Sequence, residues 1–68
     1  MIVTVNGEPR RPAPGTSVRD LVADLVGDPD RRGIAVALNG QVLRRPEWTA
    51  RELADGDRLE ILNAVQGG

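Results

Sequence analysis

The chain ends in Gly67-Gly68, and no other pair of residues in it offers a clearer chemical task. A terminal carboxylate is the one backbone carboxyl group that can be activated and transferred. Glycine lacks a Cβ, so a Gly-Gly end is thin enough to thread a narrow channel into another enzyme's active site. An activated glycyl group also has no stereocentre to racemise. By itself such a dipeptide is more often a frayed terminus, so its meaning depends on the domain attached to it. The expectation is a folded domain over residues 1–65 and a flexible Gly-Gly tail over residues 66–68.

The rest of the composition removes other chemistries. There is no Cys and no His, which excludes disulfides, Cys/His zinc sites and the usual His-activated nucleophiles. Asp28-Pro29-Asp30 reads as a polar loop and has no calcium-loop spacing. Asp55 and Asp57 read as turn residues. The net charge is −1 and Trp48 is the single aromatic residue, so neither an electrostatic footprint nor a stacking platform for nucleic acid is present. No apolar run has spanning length and no signal-peptide pattern opens the chain. The expectation is a cytoplasmic protein with no membrane or nucleic-acid partner. All nine basic residues are Arg, so no side chain here could accept an isopeptide-linked copy of the chain itself. Arg44-Arg45 is either a solvated loop pair or a contact for acidic groups on a partner. A chain of 68 residues buries only roughly 60 % of its unfolded surface. It has little room for an enclosed active site beside a core, which favours a carrier, binder or structural module over an enzyme.

The elements that must present the tail follow from pattern. Met1 to Val5 alternates and is β-branched, a strand. Asn6-Gly7 is a hairpin signal, and Glu8 to Pro12 returns as an edge strand because Pro9 and Pro12 cannot donate to a ladder. Ser17 and Asp20 form a capping box. Val18, Leu21, Val22, Leu25 and Val26 then make one apolar helical stripe, ended by Gly27 and Pro29. Ile34 to Leu38 is a third strand, Asn39-Gly40 a second hairpin turn and Gln41 to Leu43 a fourth strand. Pro46 to Ala54 is irregular with at most a short helical turn, anchored by Trp48 and Leu53. Asp55-Gly56-Asp57 turns into a last strand from Arg58 to Val65. One helix must cover one face of a mixed four- to five-stranded sheet, with the first and last strands side by side in the middle. This is an α+β, β-grasp (ubiquitin-like) arrangement.

Alternation then assigns faces. Val3, Val5, Leu59 and Ile61 point to the helix, with Val65 on the same side. Ile2, Thr4, Glu60, Leu62 and Ala64 point away. Ile2 and Leu62 are expected to form a small exposed apolar patch beside the tail, of the kind that marks an interface.

The run VALNGQVLRRPEW and the end LADGDRLEILNAVQGG, with VNGE near the start and TSVRDL opening the helix, resemble the thiamine-biosynthesis sulfur carriers of the ThiS type. The similarity covers nearly the whole chain. The molybdopterin-synthase small subunit shares the fold and the Gly-Gly end but carries a proline pair before its tail, where this chain has Asn63-Ala64-Val65-Gln66. The resemblance implies a covalent cosubstrate, not an enzyme. It implies that an E1-like adenylyltransferase places the Gly68 carboxylate against ATP and that a sulfurtransferase or persulfide donor converts the adenylate to a thiocarboxylate. Thiazole synthase would then take up the sulfur. Gly67 would supply clearance, and Gln66, Ala64, Leu62 and Ile2 would meet the partners. The chain would bind no cofactor and be a monomer when free. Alternatives are a carrier for molybdopterin, cysteine or tRNA thiolation, a ubiquitin-like modifier conjugated through Gly68, and a plain β-grasp interaction module.

Overall fold

Two Asn-Gly pairs close the hairpins of the sheet. Asn6 and Asn39 both take φ 52°, followed by Gly7 at 84° and Gly40 at 85°. Positive φ at both central residues is the type I′ turn, whose twist matches that of the strands it joins. The computed structural model describes residues 1–64. Strands β1 (Val3–Val5) and β2 (Glu8–Arg10) flank the first turn, and β3 (Ile34–Leu38) and β4 (Gln41–Leu43) flank the second. Helix α1 (Val18–Val26) lies between the hairpins in sequence, and β5 (Arg58–Asn63) ends the described fold. The strand order is β2-β1-β5-β3-β4. β1 runs parallel to β5, and all other pairings are antiparallel. This is the expected β-grasp sheet with five strands.

β1 and β2 are shorter than their sequence patterns. Val5↔Glu8 closes the two-residue turn, which places Thr4↔Pro9 at a non-hydrogen-bonded pair. The missing N–H of Pro9 therefore faces outward at the sheet edge. Pro12 has no partner, because β1 does not extend to Met1. Ile2 is diverted instead: its N–H donates to Asp55 Oδ1 at 2.7 Å, and its carbonyl accepts from Gly56 at 2.8 Å.

The helix begins where the capping box places it. Ser17 Oγ accepts from the Asp20 N–H at 3.0 Å, and Asp20 Oδ2 accepts from the Ser17 N–H at 3.1 Å. The next orphan donors, Val18 and Arg19, bond the carbonyls of Arg51 and Trp48. The irregular segment after β4 thus seals the helix start. Val18, Leu21 and Val22 are buried, whereas Leu25 and Val26 are only partly covered. These side chains meet Val3, Val5, Ile34, Val36, Leu38, Leu59 and Ile61 in one core. Trp48 and Leu53 join it, as expected of anchors. The Trp48 indole N–H donates to the Leu43 carbonyl at 2.9 Å, which satisfies its polar end inside the core. Among the described residues, no helix is long and apolar enough to cross a membrane.

Candidate functional site

β5 is central in the sheet and is the element that carries the chain towards its last residues. Leu59 and Ile61 are buried and Glu60, Leu62 and Ala64 exposed, as alternation requires, while Asn63, in phase with the buried pair, is exposed at the strand end. Near its end β5 loses one neighbour, because β1 turns away at Asn6. The Asn6 side chain replaces that neighbour: Oδ1 accepts from the Ile61 N–H at 2.9 Å and Nδ2 donates to the Ile61 carbonyl at 3.2 Å. A side-chain amide thus continues the ladder where the backbone departs. On the other side the pairing with β3 continues through Ala35↔Leu62 and Ile34↔Asn63. Beyond it the Ala64 N–H donates to the Gly33 carbonyl at 2.7 Å. Gln66, Gly67 and Gly68, with Val65, lie outside the described residues, and so do the expectations of a flexible tail and of an inward Val65.

The structure corrects the expected apolar patch. β1 is parallel to β5 and paired at its start, with Thr4 opposite Arg58. Ile2 is therefore level with Gly56, at the end of β5 remote from the tail. At ~3.3 Å per residue, Gly56 to Leu62 spans on the order of 20 Å. Ile2 is not beside Leu62. The neighbours of Leu62 come from the other side of the sheet: Ala35, Ala37, Val42 and Glu60 line one hollow with it. Leu62 is 71 % exposed and Val42 79 %, a prominence of large apolar groups on the helix-free face. Val42 was legible in part, since Leu43 packs on the core and alternation then turns its neighbour outward. Its meeting with Leu62 required the sheet order.

Two further residues have roles that local patterns did not disclose. Asp57 is buried and accepts from the Ala54 N–H at 2.7 Å, Asn39 Nδ2 at 3.0 Å and Arg51 at 3.3 Å. It ties the last turn to the second hairpin and is more than a turn former. Burial alone would raise its pKa, but the bonds from Asn39 and Ala54 and the charge and bond of Arg51 outweigh that and hold it below the ordinary carboxylate value. It sits at the start of β5, so this perturbed carboxyl is structural. Arg45 is exposed but engaged within the fold: it donates to the carbonyls of Pro29 and Arg31 and lies 4.5 Å over the Trp48 ring. Among the described residues, no cluster of carboxylates could hold a metal ion. What remains is a five-stranded sheet, an apolar patch on its helix-free face and a central last strand held on both sides.

A profile of the ThiS family matches residues 3–68. The chain belongs to the ThiS family. It is 34 % identical over 67 residues to a Thermus thermophilus protein named sulfur carrier protein ThiS, across 98 % of this chain and all of that one. It is 29 % identical to the Escherichia coli K12 protein of the same name over the full length of both. The crystal structure of the thiamine biosynthesis protein ThiS from Geobacter metallireducens superposes with a TM-score of 0.78 at 36 % identity, covering all of both chains. A solution structure of a thiamine biosynthesis protein from the same organism gives 0.75 at 33 % identity, covering all of this chain and 88 % of the other.

Proposed function

We infer that the chain is the sulfur carrier of thiamine biosynthesis, a covalent cosubstrate that works with partner enzymes and catalyses nothing alone. One observation carries this: the family match runs through residue 68, so the Gly-Gly end belongs to the shared pattern and is not an appendage to it. The names of the relatives favour thiamine over molybdopterin, cysteine or tRNA products.

Gly68 is the reacting residue in this reading. Its carboxylate oxygen attacks the α-phosphate of ATP on an E1-like adenylyltransferase. A new P–O bond forms, the bond to the β-phosphate bridge breaks, and pyrophosphate leaves. The terminal sulfur of a donor persulfide then attacks the carbonyl carbon of the mixed anhydride and expels AMP. A second thiol cleaves the resulting acyl disulfide, leaving a thiocarboxylate on Gly68 and a disulfide on the donor side. Thiazole synthase is the acceptor of that sulfur. Gly67 and Gln66 are the clearance and contact residues of the tail. Leu62 and Ala64, now joined by Val42 and Ala35, form the docking surface. Large apolar side chains exposed beside Ala35 and Ala37 on the helix-free face support that assignment.

The test is ATP–pyrophosphate exchange with the cognate adenylyltransferase, together with intact-mass analysis of the carrier from its own host. The expected result is exchange with the wild-type chain, none with a variant extended beyond Gly68, and a mass showing oxygen replaced by sulfur. Undiminished exchange by an extended, uncleaved variant would overturn the reading. Isopeptide-linked adducts in place of a thiocarboxylate would favour a protein modifier.

A further inference from the structure

The end of β5 is clasped by the loop before β3. The Ala64 N–H is bonded to the Gly33 carbonyl at 2.7 Å, and Asn63 Oδ1 accepts from Arg31 Nη2 at 2.5 Å. Gly33 has φ +86°, a region that L side chains rarely adopt. A Cβ on it would stand 2.9 Å from the Ala64 carbonyl oxygen and 3.4 Å from the Ala64 Cβ. At the other described glycines a Cβ would meet nothing within 4 Å. The loop is itself fastened from behind. Arg45 donates to the carbonyls of Pro29, Arg31 and Ile34 and stacks on Trp48, whose ring is buried. A continuous set of contacts therefore runs from the core through Arg45 to the loop, and through Gly33 and Arg31 to Ala64 and Asn63.

The core does not require this arrangement. Arg31, Gly33, Asn63 and Ala64 are all exposed, and of the β3–β5 register pairs only Ile34↔Asn63 involves any of them. A close backbone approach with left-handed geometry has been placed at the one point where the chain passes from the sheet to its reactive end.

We propose that Gly33 and Arg31 are positioning residues for the loading of Gly68, because they fix the peptide at Ala64 from which residues 65–68 continue. The proposal rests on the sulfur-carrier reading above. The position of Ala64 sets where residues 65–68 begin, and misplacement of a reacting group by even ~1 Å can cost on the order of 100-fold in rate. Of the docking residues, Leu62, Val42 and Ala35 lie on β5, β4 and β3 and keep their sheet positions, and Ala64 alone is released. Loss of the clasp should therefore lower kcat and spare KM for the carrier.

The chain is short enough for total chemical synthesis, which allows a discriminating set of variants. Gly33→Ala, Arg31→Ala and a chain with D-alanine at residue 33 are compared with wild type. Initial rates of ATP–pyrophosphate exchange are measured against carrier concentration, with thermal melts of each chain. Gly33→Ala is expected to lower kcat by about tenfold with KM within about twofold, and Arg31→Ala to lower kcat several-fold. D-alanine accepts positive φ without strain and directs its methyl to the opposite side, so it should restore the wild-type kcat. A purely structural role would lower the melting temperature and leave kcat of the folded chain unchanged. Wild-type kcat in folded Gly33→Ala and Arg31→Ala overturns the proposal, as does a D-alanine chain as impaired as the L-alanine one. Should Gly33→Ala fail to fold, Arg31→Ala decides. If the wild-type chain supports no exchange, the carrier reading falls and this proposal with it. Normal exchange by wild type and both L variants removes the positioning role alone.

Discussion

Asp57 shows how one side chain can hold a small fold together. It is the buried carboxylate among the described residues, and its acceptor positions are taken by Ala54, Asn39 and Arg51. Its folded-state pKa lies below the unfolded value. Its contribution to stability is thus fully present above the unfolded pKa of ~3.9 and is lost as pH falls through the lower folded value. Asp57→Asn should destabilise at neutral pH by about 1–3 kcal/mol, because donors aimed at a carboxylate lose part of their partner. It should also flatten the acid limb of the melting curve. Thermal melts between pH 7 and pH 2 check both, and an unchanged acid limb in the variant would assign acid sensitivity to other carboxylates. Gly67 is the contrasting residue. It follows the last strand, so Gly67→Val should leave the melting temperature unaltered while blocking thiocarboxylate formation, as read by intact mass. Normal loading of that variant would count against a narrow partner channel.

At the scale of the element, β5 is the strand shared by the core and the proposed docking surface. Its inner residues Leu59 and Ile61 belong to the core, while Leu62 points away from the helix. Leu62→Arg should therefore change stability by no more than about 0.5 kcal/mol. In the partner interface it would bury an unpaired charge and weaken binding by several kcal/mol. Val42→Arg should act the same way, since both side chains line one hollow. Leu21→Arg is the control, because a charge placed in the core should unfold the domain. Titration calorimetry against the adenylyltransferase, beside melts of each variant, separates the cases. A Leu62→Arg chain that melts as early as Leu21→Arg would refute the outward facing. One that folds and binds normally would refute the interface.

The whole molecule determines which residues share an end of the sheet. Parallel pairing places the start of β1 beside the start of β5, so the first residues of the fold and the end of β5 lie at opposite poles. Ile2→Arg is accordingly expected to bind the adenylyltransferase as wild type does, in contrast to Leu62→Arg. The same titration tests this, and equal loss in both variants would mean that the partner spans the full length of the sheet. The clasp described for Gly33 also belongs to this scale. It joins a loop after the helix to the end of the last strand, and Arg45 and Trp48 support it from a third segment.

Local physics was legible in the residues themselves. The Ser17–Asp20 box, the helical stripe from Val18 to Val26, both Asn-Gly turns and the alternation of β5 depend on neighbours a few residues apart, so their signals sit inside short windows. Element order then sufficed for a β-grasp sheet, and the terminal motif for the family. The ends of β1 and β2 were less legible, because Ile2 was taken by Asp55 and Gly56 from the far end of the chain. Nor could Ile2 be kept apart from Leu62: alternation assigns a face of the sheet but not a pole, and only parallel pairing fixes the pole. Arg45 read as half of a loop pair because its acceptors are backbone carbonyls, which every sequence contains and none advertises. Gly33 carries no local signal for a similar reason. The atom that forbids a Cβ there is the carbonyl of Ala64, brought to within contact only when the chain has closed its sheet.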